Sequence, residues 1–195
     1  MCSVNIKEAF QNPFTSTMKS RQASTSPGGL PPLLACSLGC DVSGTVSYLE
    51  EERGFFWLQR DPEKVEEIGL LLEREAVQMV KDQGCLADAG DVVVAQWQEA
   101  FYRAVVLANG EEEKVLLHFV DWGNQDWVPR SKLRLAGQVE VEEPPLAIRC
   151  RLEGLCNNWE EDLENCDYSV KLHCLSLEQD IAANVIAVMV LVEVC

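Results

Sequence analysis

Between residues 90 and 134 four short β-forming segments, DVVVAQW, FYRAVVLA, KVLLHFVDW and DWVPRSKLR, are separated by the polar breaks QEA, NGEEE and GNQ. No other stretch of the chain restricts its fold as tightly. Strands this short cannot enclose a core singly, and links of a few residues lay each one antiparallel beside the last. The pattern therefore predicts a meander that curls into a small barrel over residues 87–144. Asn109-Gly110 is the expected hairpin turn, since both residue types tolerate positive φ.

The flanks follow a different rhythm. VSGTVSYLE and FFWLQR, on either side of a charged turn at Glu51 to Gly54, predict a strand pair. Asp61-Pro62 supplies a helix N-cap and a first-turn proline, after which Val65, Ile68, Leu71, Leu72, Met79 and Val80 recur at helical spacing. Gly84 is the expected stop, and Gly69 within the helix costs about 1 kcal/mol relative to alanine. Beyond Pro144-Pro145 come AIRCRLEGL, a polar WEEDLENCDY stretch, SVKLHCLSL and a valine-rich end. Their alternation matches that of the strands before residue 62. Residues 41–86 and 145–195 are thus expected to complete a second β unit, with a linking helix, around the inserted barrel. Residues 1–40, with SRQASTSPGGLPP at their centre, lack a periodic apolar face and read as a disordered arm. The fold class is mainly β with one or two helices.

Charge narrows the partners. Sixteen Lys and Arg against 32 Asp and Glu leave a net charge of -16, which repels phosphate backbones and steers cationic peptides inward. No direct nucleic-acid partner is expected. The runs Glu50 to Glu52, Glu111 to Glu113 and Glu160 to Asp162 read as solvated surface. Nine cysteines without CxxC spacing indicate reduced thiols and a cytoplasmic setting. His118 and His173 lie in apolar runs as strand residues, so neither a metal nor a cofactor is expected. The opening residues lack a signal-peptide pattern. The apolar last fifteen residues are too short to span a bilayer and include Asn184 and Glu193, so no membrane partner is expected.

Within the barrel segment Trp97, Tyr102, Phe119 and Trp122 all sit beside turns. Trp97 and Tyr102 bracket the first hairpin; Phe119 and Trp122 bracket the end of the third strand. The two pairs can converge at one barrel mouth. Strict alternation would point Trp122 away from Phe119, but the turn at Gly123-Asn124 can swing its ring back. Phe101 then faces the core, and Trp57 and Trp127 are assigned there too. Four rings around one opening suit a large, flat, poorly hydrated cation, because ring faces attract positive charge. Methylated guanidinium fits, and the Asn124 amide can accept its remaining N–H.

The run AFYRAVVL, then VLLHFVDWGNQDWVPRSKLR, then EEPPLAIRCRLEGL, resembles the extended Tudor domains, in which a strand with WYRA or FYRA precedes FVDYGN. The resemblance spans about residues 41–195 and is most specific at its centre. It implies a Tudor, SH3-like β-barrel inserted in a staphylococcal-nuclease-like unit of OB type. It further implies a reader of symmetrically dimethylated arginine in Arg/Gly-rich tails of Piwi-type proteins, monomeric, cytoplasmic and present in germ granules. By resemblance the cage falls on Trp97, Tyr102, Phe119 and Trp122, with Asn124 as its amide. Two departures stand out: the first hairpin loop is one residue short, and Trp122 replaces the usual tyrosine. The alternatives are a scaffold or methyllysine-binding Tudor module, or a nuclease-like enzyme. Methyllysine lacks the planar N–H that Asn124 would bond. A nuclease needs clustered carboxylates and basic residues at the phosphate, which the flanks do not supply, and no enzyme is expected.

Overall fold

The computed structural model describes residues 37–50, 54–76, 86–153, 169–179 and 185–194. The arm up to residue 36, Met79, Val80, Gly84, the WEEDLENCDY stretch and its acidic run lie outside the described residues. Residues 37–40, expected with the arm, instead form a turn tied to the body by Gly39 N–H donating to the Cys174 carbonyl at 2.9 Å.

Strands β1 (Asp41–Leu49) and β2 (Phe55–Gln59) pair antiparallel before the helix. Three later strands, β8 (Ala147–Leu152), β9 (Ser169–Gln179) and β10 (Val185–Val194), join them in a closed barrel of order β1-β2-β8-β10-β9. Period-2 alternation turns Phe56 and Leu58 inward from β2, and Ile148 and Cys150 from β8, onto Leu172 and Met189. Burying each such large side chain contributes roughly 1.5–3 kcal/mol. The two sequence flanks therefore share one core.

Helix α1 (Pro62–Ala76) leaves β2 at Asp61, whose Oδ1 accepts the Lys64 N–H at 3.0 Å. Its buried stripe is Val65, Ile68 and Leu72; the last two pack on Val94, with Phe101 against the same cluster. Next come β3 (Val92–Trp97), β4 (Ala100–Asn109), β5 (Lys114–Phe119), β6 (Gln125–Pro129) and β7 (Leu133–Leu135), a sheet of order β6-β5-β4-β3-β7. The edge strands β6 and β7 are joined only by the 3-10 turn Arg130–Lys132. In a flat sheet those edges would lie four strand spacings apart, about 19 Å. The link from Pro129 to Leu133 reaches at most about 14 Å, so the sheet must curl around its core of Val93, Ala104, Val106, Leu117 and Phe119.

Three expectations change here. The fourth predicted segment is two strands, because the 3-10 turn carries the chain from one sheet edge to the other. The second hairpin turns at Glu112 and Glu113, with φ of 55° and 57°, while Asn109 ends β4. Gly110 serves another end: a Cβ there would collide with the Trp127 ring. Trp127 itself is 48% exposed and belongs to no core, because it projects from the edge strand β6.

Trp57 is also not a core residue; it is half-buried where the two β units meet. Its indole N–H donates to Glu50 at 2.8 Å, and Arg149 binds the same carboxylate through Nε at 2.7 Å and Nη2 at 2.6 Å. Glu50, expected as solvated surface, is thus committed to an ion pair. Beneath Trp57 lies His118 of β5, ring centroids 4.9 Å apart, with Nδ1 buried and unpartnered. Burial pushes the His118 pKa below its ordinary 6.5, against the opposing pull of Glu50, Asp121 and the Gly123 carbonyl. The folded protein therefore holds this imidazole neutral where the unfolded chain would take up a proton. The resulting stability is complete above about pH 6.5 and is lost as pH falls below it. Melting temperature should fall as pH drops from about 6.5 to 5.5, and less steeply in His118→Leu. An unchanged slope in that variant would assign the loss to other groups.

Candidate functional site: four rings at one end of the curled sheet

The β3–β4 hairpin closes through Gln98 and Glu99, both at positive φ, a two-residue turn whose twist matches the strands it joins. It sets Trp97 and Tyr102 beside each other, ring centroids 5.9 Å apart. β5 ends at Phe119 in a tight turn, where Trp122 and Gly123 N–H both donate to the Phe119 carbonyl, at 3.1 and 2.7 Å. Gly123 has φ of +96°, and a Cβ there would strike Trp57. Only glycine permits that conformation and that approach. The turn swings Trp122 back until its ring lies 6.0 Å from Tyr102 at 87°.

All four aromatic residues singled out from the sequence thus meet, with Phe119 at 5.2 Å from Trp97 and 5.7 Å from Tyr102. Their roles are unequal. Phe119 is 1% exposed and lies in the core of the sheet, so it is the floor of the cluster and not a wall. Trp122 is 36% exposed and is the most accessible ring of the four. Trp97 is fixed by its indole N–H donating to Asp126 at 2.7 Å. Asn124 gives its carbonyl to the Phe119 N–H at 3.0 Å; its side-chain amide has no partner among the described residues and is half-buried.

What holds the turn is a pair that the sequence reading passed over. Arg103, adjacent to Tyr102, and Asp121, adjacent to Trp122, form a buried ion pair with side chains 0% and 5% exposed. Arg103 Nε and Nη2 donate to the two Asp121 oxygens at 2.8 and 2.5 Å. Nη1 donates to the carbonyls of Glu140 and Glu143, and Nη2 to that of Pro144. All five guanidinium N–H groups are used. Asp121 also accepts the Leu146 N–H through Oδ1, and its carbonyl accepts Gln59 Nε2 at 2.7 Å. The Trp122 carbonyl takes the Ser47 hydroxyl at 2.7 Å. Gln59 and Ser47 belong to the closed barrel, so that barrel anchors the ring-bearing turn. The available signal was a charge set among apolar residues in strand β4 and in the turn that follows β5.

Among the described residues no group of His, Cys, Asp and Glu could hold a metal ion, and no helix is long and apolar enough to cross a membrane.

A closed barrel carrying an inserted curled sheet, with rings gathered at the sheet's end, defines an extended Tudor-type module. A profile of the Tudor domain matches residues 37–154, and the chain belongs to that family. It is 30% identical over 129 residues to human "Tudor domain-containing protein 1", a match covering 65% of this chain and 11% of that protein. The mouse protein of the same name is 28% identical over 142 residues, 71% of this chain and 12% of that one. The chain thus spans about a tenth of the relatives it matches. Its fold is shared with the human TDRD1 extended Tudor domain solved in complex with a symmetrically dimethylated peptide: TM-score 0.68, 22% identity, 82% of this chain and 84% of that one. The mouse TDRD1 domain solved with a MILI peptide containing dimethylarginine has TM-score 0.66, 18% identity and coverage of 81% and 86%.

Proposed function

We propose that this chain is a methylarginine reader that takes symmetrically dimethylated arginine in Arg/Gly-rich tails of Piwi-type partners, binding as a monomer and without a cofactor. The observation that carries this reading is the packing of Trp97 and Tyr102 on Phe119 with Trp122 set against Tyr102, and the half-buried Asn124 on the same turn as Trp122. Ring faces attract the charge, and the methyl groups lower the dehydration cost of burying it. Asn124 can accept the N–H that methylation leaves, which favours arginine over lysine. A planar cation between two ring faces needs about 7 Å, two contacts of roughly 3.5 Å. The Tyr102 and Trp122 rings meet edge to face at 6.0 Å, so the exposed Trp122 is the wall that shifts to admit it.

Calorimetry on Gly-flanked peptides with dimethylated and unmodified arginine tests this directly. The methylated peptide should bind with Kd on the order of 10 µM, about -7 kcal/mol, and the unmodified one more weakly. Asn124→Ala should cost roughly 1 kcal/mol of binding through one hydrogen bond. Equal affinity for the two peptides would remove the reading, and a preference for methyllysine would transfer it to the methyllysine class.

A further inference from the structure

Helix α1 and strand β4 leave an apolar groove between them, with a volume of about 390 Å³. That lies within the range of natural ligand pockets. Ile68 and Leu72 of α1 and Phe101 of β4, which pack together, line it, and so do Tyr102 and Trp122. The same two rings belong to the aromatic cluster, so groove and cluster are one continuous surface. Arg103 and Asp121 also border it, but each is engaged with the other and with backbone groups. They bring no free charge.

Gly69 forms part of the wall, in the middle of the helix, where glycine is less favourable than alanine. A Cβ placed there meets nothing within 4 Å, so packing does not demand the glycine; its effect is to keep the wall low.

We propose that this groove is a subsite for an aliphatic side chain of the same peptide whose methylated arginine enters the rings, an inference that rests on the function proposed above. An apolar lining continuous with the cation site suits a leucine- or isoleucine-sized residue near the arginine. The wall from Pro62 to Glu73 runs about 16 Å, room for roughly five residues of extended chain. A second cation would meet only the exposed rim carboxylates Glu66 and Glu73, whose attraction salt screens.

The test uses the full chain and a Gly-flanked dimethylarginine peptide, alongside variants with leucine placed in turn at each of the three positions on either side. At least one leucine position should tighten binding about tenfold, which is ~1.4 kcal/mol. Gly69→Leu raises a branched side chain on the groove wall at a site that favours helix, so it should fold, abolish that gain and leave the all-glycine peptide unchanged. Failure of every leucine position to improve binding, or survival of the gain in Gly69→Leu, overturns the subsite while leaving the ring site standing. Failure of the all-glycine peptide to bind the parent chain overturns the ring site and the subsite together. Concentration-dependent dimerisation abolished by Gly69→Leu would assign the groove to a second copy and overturn the proposal.

Discussion

Arg103→Ala is expected to lose about 3–5 kcal/mol of folding stability, because it leaves the buried Asp121 carboxylate uncompensated. It also strips the donor from the carbonyls of Glu140, Glu143 and Pro144. Against a total stability of roughly 5–15 kcal/mol that is a large share. Asp121→Ala should be comparably severe: it orphans the guanidinium and the Leu146 N–H at once. Arg103→Lys retains the charge but offers three donors where five acceptors wait, so it should recover only part of the loss. Urea denaturation measures all three, and an Arg103→Ala unfolding free energy within about 1 kcal/mol of the parent would show the pair to be dispensable.

Trp122→Ala and Phe119→Ala should fail in opposite ways although their rings belong to one cluster. Trp122 is 36% exposed and its carbonyl is held by Ser47, so truncation spares the turn and most of the stability. It should cost about 1–2 kcal/mol of methylated-peptide binding. Phe119 is 1% exposed and packed in the sheet core, so truncation opens a cavity and should cost about 3–5 kcal/mol of folding free energy. Melting curves and peptide titration on the two variants separate wall from floor. A destabilised Trp122→Ala that still binds at parental strength would move the ligand elsewhere.

Much of this protein was determined by sequence alone, because its signals are local. Period-2 alternation gave the strands of both units, and Asp61-Pro62 opened α1 where expected. Placement of aromatic residues beside turns named the four rings that meet. What only the tertiary structure decided are matters of distance along the chain. Asn109-Gly110 carries a turn signature, yet the positive-φ residues of the turn are Glu112 and Glu113, and a Cβ at Gly110 would strike Trp127 of β6. Phe119 and Trp122 look alike as ring residues at a strand end. The core contacts of one and the exposure of the other depend on how the sheet curls and where Gly123 presses on Trp57. Arg103 and Asp121 are eighteen residues apart, and the carbonyls that complete the arginine come from residues 140 to 144. Spacing along a chain encodes helix and strand, but a buried charge is satisfied by whichever groups the fold brings around it, and those are assembled only in three dimensions.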